Sequence, residues 1–149
     1  MSFITILDFL FDEKNLLSIL YEYYYDILNK LNTDPLKILI NNLGFILALT
    51  IMANRPYENY KKATLGLRLT LDQYNTFVKH YGFPSLSSLP KININDAKSI
   101  DLMYLPNFGN SRAVDLFMEN KPYHNIDDLR RHNFVSFNRL LVLTQRFSF

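Results

Sequence analysis

A chain of 149 residues, 48% apolar and carrying 12 Phe and 10 Tyr, has ample material for a core and is unlike a disordered polypeptide. Its formal net charge of +2 falls short of the basic excess with which a dedicated nucleic-acid binder neutralises phosphates. There is no Cys, which excludes disulfides, thiolate metal sites and Cys nucleophiles, and the 3 His (His80, His124, His132) lack metal-ligand spacing, so no metal or other cofactor is expected.

Residues 3–31 read as helix, with Phe3, Leu7, Leu10 and Phe11, then Leu16, Leu17, Leu20, Tyr24, Ile27 and Leu28 at helical spacing. They form an N-terminal helical arm over 1–33, and the aromatics of Tyr21–Tyr25 lie on several faces, as suits contact with another chain. His124 and His132 are expected to be exposed loop or helix-end residues. Asp34-Pro35 reads as an N-cap followed by proline at the first helical position. The stretch from Ile38 to Ala53 is the most hydrophobic, but its 16 residues fall below the ~20 needed to cross a hydrocarbon core. Asn41-Asn42 also interrupts it, so a membrane span is not favoured. Residues 61–80 continue as helix, and 84–91 have the Pro/Ser content of a linker. No strand pattern is visible, and the fold class is all-α.

A repeat organises these elements. Asn54-Arg55-Pro56-Tyr57-Glu58-Asn59-Tyr60 returns as Asn120-Lys121-Pro122-Tyr123-His124-Asn125-Ile126. Upstream, Leu43, Gly44, Ala48 and Ile51 find counterparts in Phe108, Gly109, Ala113 and Leu116. The shift is 65 upstream and 66 within the Asn-basic-Pro-Tyr segment, as a tandem duplication with one insertion produces. The expected units are 34–83 and 92–149, the second including a C-terminal tail. Because the second copy carries Asn110, Ser111, Arg112, Asp115 and Glu119 where the first is apolar, the ancestral unit was soluble.

Three phrases, Ile92–Ala97, Leu102–Ala113 and Pro122–Leu129, make residues 92–143 resemble the helix-hairpin-helix domain of the ComEA family. Ile92-Asn93-Ile94-Asn95-Asp96-Ala97 stands where that family has Ile-Asn-x-Asn-x-Ala. Leu102-Met103-Tyr104-Leu105-Pro106-Asn107-Phe108-Gly109-Asn110-Ser111-Arg112-Ala113 stands where it has Leu-x-x-Leu-Pro-Gly-Ile-Gly-x-x-x-Ala. Pro122-Tyr123-His124-Asn125-Ile126-Asp127-Asp128-Leu129 matches the aromatic, spacer and Asp-Leu that follow. Residues 35–83 keep a fainter version, with Gly44, Ala48, Pro56-Tyr57 and Leu65-Gly66-Leu67. The Pro-Tyr-x-Asn phrase is also similar to PsbU-like proteins, extrinsic photosystem subunits of this family whose role is structural stabilisation without nucleic acid.

In nucleic-acid-binding members of such a family, glycines let the backbone approach a phosphate, and amides at the next helix N-terminus point at it. This chain departs from that pattern. Asn107 replaces the first glycine, Asn133-Phe134-Val135 has none, and Phe45-Ile46-Leu47 are bulky and apolar where small polar residues are wanted. Gly109, Asn110, Ser111 and Arg112 keep the chemistry of a phosphate-contacting hairpin, as the alternative reading. Phe45, Ile46, Leu47, Phe147 and Phe149 are the expected core or partner contacts, the last two forming a terminal docking hook. The pairs Lys61-Lys62 and Arg130-Arg131 fall at comparable places in the two units, and Asp127-Asp128 is expected to cap a helix. Nothing forms a catalytic set, so the chain is not expected to be an enzyme.

Asn, Ile, Lys, Phe and Tyr are favoured over Gly and Trp, which indicates a low-GC genome such as a mitochondrial, viral or parasite one. The N-terminus carries acids and no Arg-rich leader. Together these features predict a mitochondrial, organelle-encoded accessory subunit of a membrane-associated assembly such as a respiratory-chain complex. Its partners would be other protein subunits, with membrane contact through the complex. The alternative is a DNA- or RNA-binding helix-hairpin-helix protein, including a mitoribosomal or viral one.

Overall fold

The computed structural model describes residues 30–149. Most of the predicted N-terminal arm, including Tyr21–Tyr25, lies outside the described residues. After helical residues 30–33 come α1 (Leu36–Leu43), α2 (Phe45–Asn54), α3 (Tyr60–Leu67) and α4 (Leu71–Tyr81). A 3-10 turn at Leu86–Ser88 leads to β1 (Ile92–Asn93) and a second 3-10 turn at Ile94–Asp96. Then follow α5 (Ser99–Met103), α6 (Arg112–Glu119), α7 (Ile126–Arg130), α8 (Phe137–Arg146) and β2 (Phe147–Ser148). The chain is mostly helical, as expected. The exception is a parallel pairing of Ile92 with Phe147 and Asn93 with Ser148, too short to show strand alternation in the sequence.

Two local expectations are corrected, the cap of α1 and the single helix over 61–80. The N-cap of α1 is Pro35, not Asp34, and α1 begins at Leu36. The N–H of Asp34 donates to Lys30 at 2.7 Å and closes the preceding helical turn, while the Pro35 carbonyl accepts the N–H groups of Ile38 (3.0 Å) and Leu39 (3.1 Å). The apolar stretch 38–53 is broken at Gly44, whose φ of 85° suits glycine, into the packed pair α1 and α2. Among the described residues, no helix is long and apolar enough to cross a membrane. The single helix expected over 61–80 is two: Arg68, at φ 51°, ends α3, and a reciprocal capping box between Thr70 and Gln73 starts α4. Asn59, Asn125 and Ser136 cap α3, α7 and α8 in the same manner, each accepting the N–H three residues on.

One continuous core runs through both halves of the described chain. In the first, Phe83 packs edge-on against Phe77 (5.1 Å) and Tyr74 (5.8 Å). In the second, Phe117 and Tyr123 lie 4.9 Å apart beside buried Leu129, Val142, Leu143 and Phe147. Such aromatic contacts add ~1 kcal/mol each to plain burial.

The halves also share a fastening. The Asn32 amide donates to the Tyr57 carbonyl (3.0 Å), and its oxygen accepts the Tyr57 N–H (2.7 Å). Asn95 makes the same two bonds to Tyr123, at 2.9 and 2.7 Å. The basic residue of each Asn-basic-Pro-Tyr segment reaches back to carbonyls of that turn. Arg55 donates to Asp34 (2.9 Å) and Leu31 (3.4 Å), and Lys121 to Asn95 (3.2 Å) and Ala97. Both X-Pro bonds, Arg55-Pro56 and Lys121-Pro122, are cis. The first-half fastening therefore includes Leu31 and Asn32, upstream of position 34.

The two tyrosines differ at their far ends. Tyr123 Oη donates to the Phe117 carbonyl at 2.7 Å, whereas Tyr57 Oη is buried without a partner. A buried, unmet hydroxyl costs free energy that a satisfied one does not. Tyr123→Phe should therefore cost about 1 kcal/mol in urea denaturation and Tyr57→Phe nothing or a slight gain. Burial pushes the Tyr123 phenol from 10.0 up to about 12. A folded-state value above the unfolded one means that stability is intact below pH 10.0 and falls as pH climbs toward 12, a fall that Tyr123→Phe should reduce.

Candidate functional site

Asn107 stands where the family resemblance places the first hairpin glycine. It adopts φ 64°, a left-handed conformation that Asn tolerates better than most residues. Its N–H donates to Leu69 at 2.9 Å, its side-chain oxygen accepts the Leu71 N–H at 2.5 Å, and its carbonyl accepts Arg139 Nε at 2.9 Å. Leu69 and Leu71 flank the corner between α3 and α4, so the α5–α6 hairpin is seated on the first half of the chain. Arg139 also donates to Phe134 (2.8 Å) and lies 5.7 Å over the Phe108 ring. Its charge is thus turned inward, and the Asn107 amide is engaged by protein.

The four residues of the expected phosphate-contacting hairpin do lie together at the start of α6. Gly109 has φ 56° and nothing within 4 Å of where a Cβ would stand, so conformation rather than close packing calls for glycine. Its N–H reaches only Leu105, at 3.4 Å. Ser111 occupies the N-cap position without making a cap bond, and its Oγ is buried and unpartnered. Asn110 and Arg112 are exposed, and Arg112 forms no ion pair among the described residues. Arg68 joins Gly109 in lining a cavity of about 130 Å³.

The basic pairs are not at comparable places. Asn59 and Asn125 are matching caps, so Lys61-Lys62 correspond to Asp127-Asp128 rather than to Arg130-Arg131. Arg130 and Arg131 instead reach Asp127 (3.8 Å) and Asp128 (3.5 Å) on their own helix. Nor do Asp127-Asp128 cap it: Asn125 does. Asp128 accepts the His124 N–H at 2.7 Å, and this bond, with help from Arg131, holds its carboxyl below the ordinary range. His124 is exposed as expected, but His132 is half-buried against the Tyr123 and Phe134 rings.

The apolar candidates divide. Phe147 belongs to the core, paired through its backbone with Ile92, so the terminal hook is half internal; Phe149 is 43% exposed. Leu47 packs against the core. Phe45 and Ile46 face outward at 61% and 81% exposure. Helix α2 is apolar except for Thr50 and Asn54, and burial of Ala48 and Ile51 leaves Leu49 and Met52 to extend the outer face; Ile38 of α1 is exposed as well. Single exposed apolar residues are ordinary, but five on one helix pair form a patch of the kind that marks interaction surfaces. A groove of about 740 Å³ runs from this patch toward Leu67, Thr70 and Gln73.

No family model matches the chain, and no curated protein or solved structure is significantly similar to it.

A third concavity, about 230 Å³, lies between the halves and is lined by Tyr60, Lys61, Tyr74, Asp101, Tyr104 and Arg146 among others. Three of its polar side chains are engaged: Tyr74 Oη donates to Pro84 (2.6 Å), Arg146 to Pro90 (2.7 Å), and Asp101 accepts the Lys98 N–H (2.8 Å). Burial raises the Tyr74 phenol well above its ordinary value, so it stays neutral. Among the described residues, no three His, Asp or Glu cluster as metal ligands. The reading of the sequence passed over Asn32, Asn95 and the junction role of Asn107. The clamps were hidden because Asn32 lies 25 residues before its tyrosine and Asn95 lies 28 before its own, so superposing the Pro-Tyr segments does not bring the two Asn into register.

Proposed function

We propose that the chain is a non-catalytic structural subunit of a larger protein assembly, built from two tandem ComEA-like helix-hairpin-helix units retained for shape. The observation that carries this reading is the outward apolar face of α2, headed by Phe45 and Ile46. Bulky apolar side chains at a hairpin tip bind protein well and phosphate poorly. The shared Asn clamps and caps support descent of both halves from one unit, and Asn107, turned to inter-half docking, supports the loss of phosphate chemistry. A low-GC composition and an apolar contact face suit an organelle-encoded subunit of a mitochondrial respiratory-chain complex. Native purification tests this: the chain should co-elute with defined protein partners, and Ile46→Asp should release it while leaving its circular dichroism unchanged. Elution of the natural protein alone, as a monomer, would sink the proposal.

One observation favours a second reading, a nucleic-acid-binding hairpin: the unpartnered Ser111 hydroxyl beside exposed Arg112 at the start of α6. Under the structural reading, binding to duplex or single-stranded nucleic acid is weak and indifferent to Arg112→Ala. Nanomolar, salt-dependent affinity that this substitution abolishes would instead establish the second reading.

A further inference from the structure

Within the chain, the α5–α6 hairpin seats on the α3–α4 corner through Asn107, Leu69 and Leu71. The second half has a matching corner between α7 and α8. Thr70 and Ser136 are both extended N-caps, with φ/ψ of −76/168° and −66/167°, each accepting the N–H three residues on. Val135 therefore corresponds to Leu69 and Phe137 to Leu71. Leu69 and Leu71 are buried, but Val135 is half-buried and Phe137 is 74% exposed. Among the described residues, the Val135 carbonyl and the Phe137 N–H have no hydrogen-bond partner, whereas their first-half counterparts are both held by Asn107. The unused hairpin is the first half's own, α1–α2, whose tip at Gly44, Phe45 and Ile46 is exposed and apolar. Among the described residues there are thus one free hairpin and one free corner of the two kinds already joined internally.

We propose that the α1–α2 hairpin of one copy docks on the α7–α8 corner of a second copy, continuing head to tail the contact that joins the halves of each chain. The proposal rests on the reading of α2 as a contact face and adds the occupant. The tip differs in detail from its template, because the side chain of Asn42, the residue aligned with Asn107, is engaged with Tyr81 Oη at 3.2 Å. The contact is accordingly apolar, with Phe45 and Ile46 against Phe134, Val135 and Phe137. Because the two surfaces are different patches, the interface is heterologous: each copy keeps a free hairpin at one end and a free corner at the other, so association continues as a chain or closes as a ring. Tandem helical units stacked within a chain extend between chains by the same nearest-neighbour contacts.

The test is light scattering on the purified full-length protein over a range of concentrations. The natural protein should grow past dimer as concentration rises, and Ile46→Asp and Phe137→Asp should each be monomeric with unchanged circular dichroism, both sites being exposed. Mixed in equal amounts, the two variants should form a dimer and nothing larger. Phe137→Asp supplies the sound hairpin, Ile46→Asp the sound corner, and both outer ends are blocked. A natural protein monomeric at every concentration overturns the proposal, as does oligomerisation that survives Phe137→Asp, or variants that fail to complement, as when α2 pairs with α2 or is covered by residues 1–29. A monomer that loses a different protein partner on Ile46→Asp overturns self-association while leaving α2 a contact face.

Discussion

Asn95→Ala should lower stability by about 2–4 kcal/mol, a fall in Tm on the order of 10 °C for a chain of this size. Two hydrogen bonds are lost, and both leave a backbone group of nearly inaccessible Tyr123 without its partner. Unmet buried groups cost more than the mean value of a hydrogen bond. Asn95→Asp should recover little, since a carboxylate accepts the Tyr123 N–H but has no proton for the Tyr123 carbonyl. Asn32→Ala should reproduce the loss in the first half, where Tyr57 is held identically. Denaturant unfolding of the two single variants checks this, and a loss below about 0.5 kcal/mol at both sites would remove the clamp from the account of stability.

Substitution of Asn107 should loosen the joint between the halves. Asn107→Val combines a β-branched side chain at φ 64° with loss of the acceptor for the Leu71 N–H, together about 3 kcal/mol. Asn107→Gly keeps the backbone conformation at no steric cost and loses only the acceptor, about 1 kcal/mol. The two variants thereby separate conformation from hydrogen bonding. Hydrogen exchange gives a local reading: the Leu71 amide should exchange faster in both, while the Tyr123 amide, held by Asn95, stays protected. Equal protection of Leu71 in all three proteins would show that Asn107 does not hold the junction.

The helical class was legible because the apolar periodicities of α4, α6 and α8 are strong, and α4 and α8 carry the capping residues Thr70 and Ser136. Helix breaks were harder. Gly44 was marked by its match to Gly109, but Arg68 interrupts a run whose hydrophobic pattern continues across it, and only the backbone conformation at that residue stops the helix. The Asn-basic-Pro-Tyr segment stood out at once, yet its purpose depends on Asn32 and Asn95, which meet it only after folding. The candidate surfaces were half legible. Hydrophobicity at Phe45–Leu47 was visible, but which of the three faces outward depends on how α2 rolls onto α1. At Phe147 and Phe149, two aromatics of one tail take different fates: Phe147 is seated in the core where its backbone pairs with Ile92, whereas Phe149 lies beyond the two paired residues.

That pairing has a topological consequence. By laying Phe147 against Ile92, and Arg146 against Pro90, it brings the last turn of the chain back to the threshold of the second half. The second half is a buckled loop rather than a string with a free end. Trimming its final residues would therefore open it at both edges at once and release the connection to the first half from the far side of the sequence.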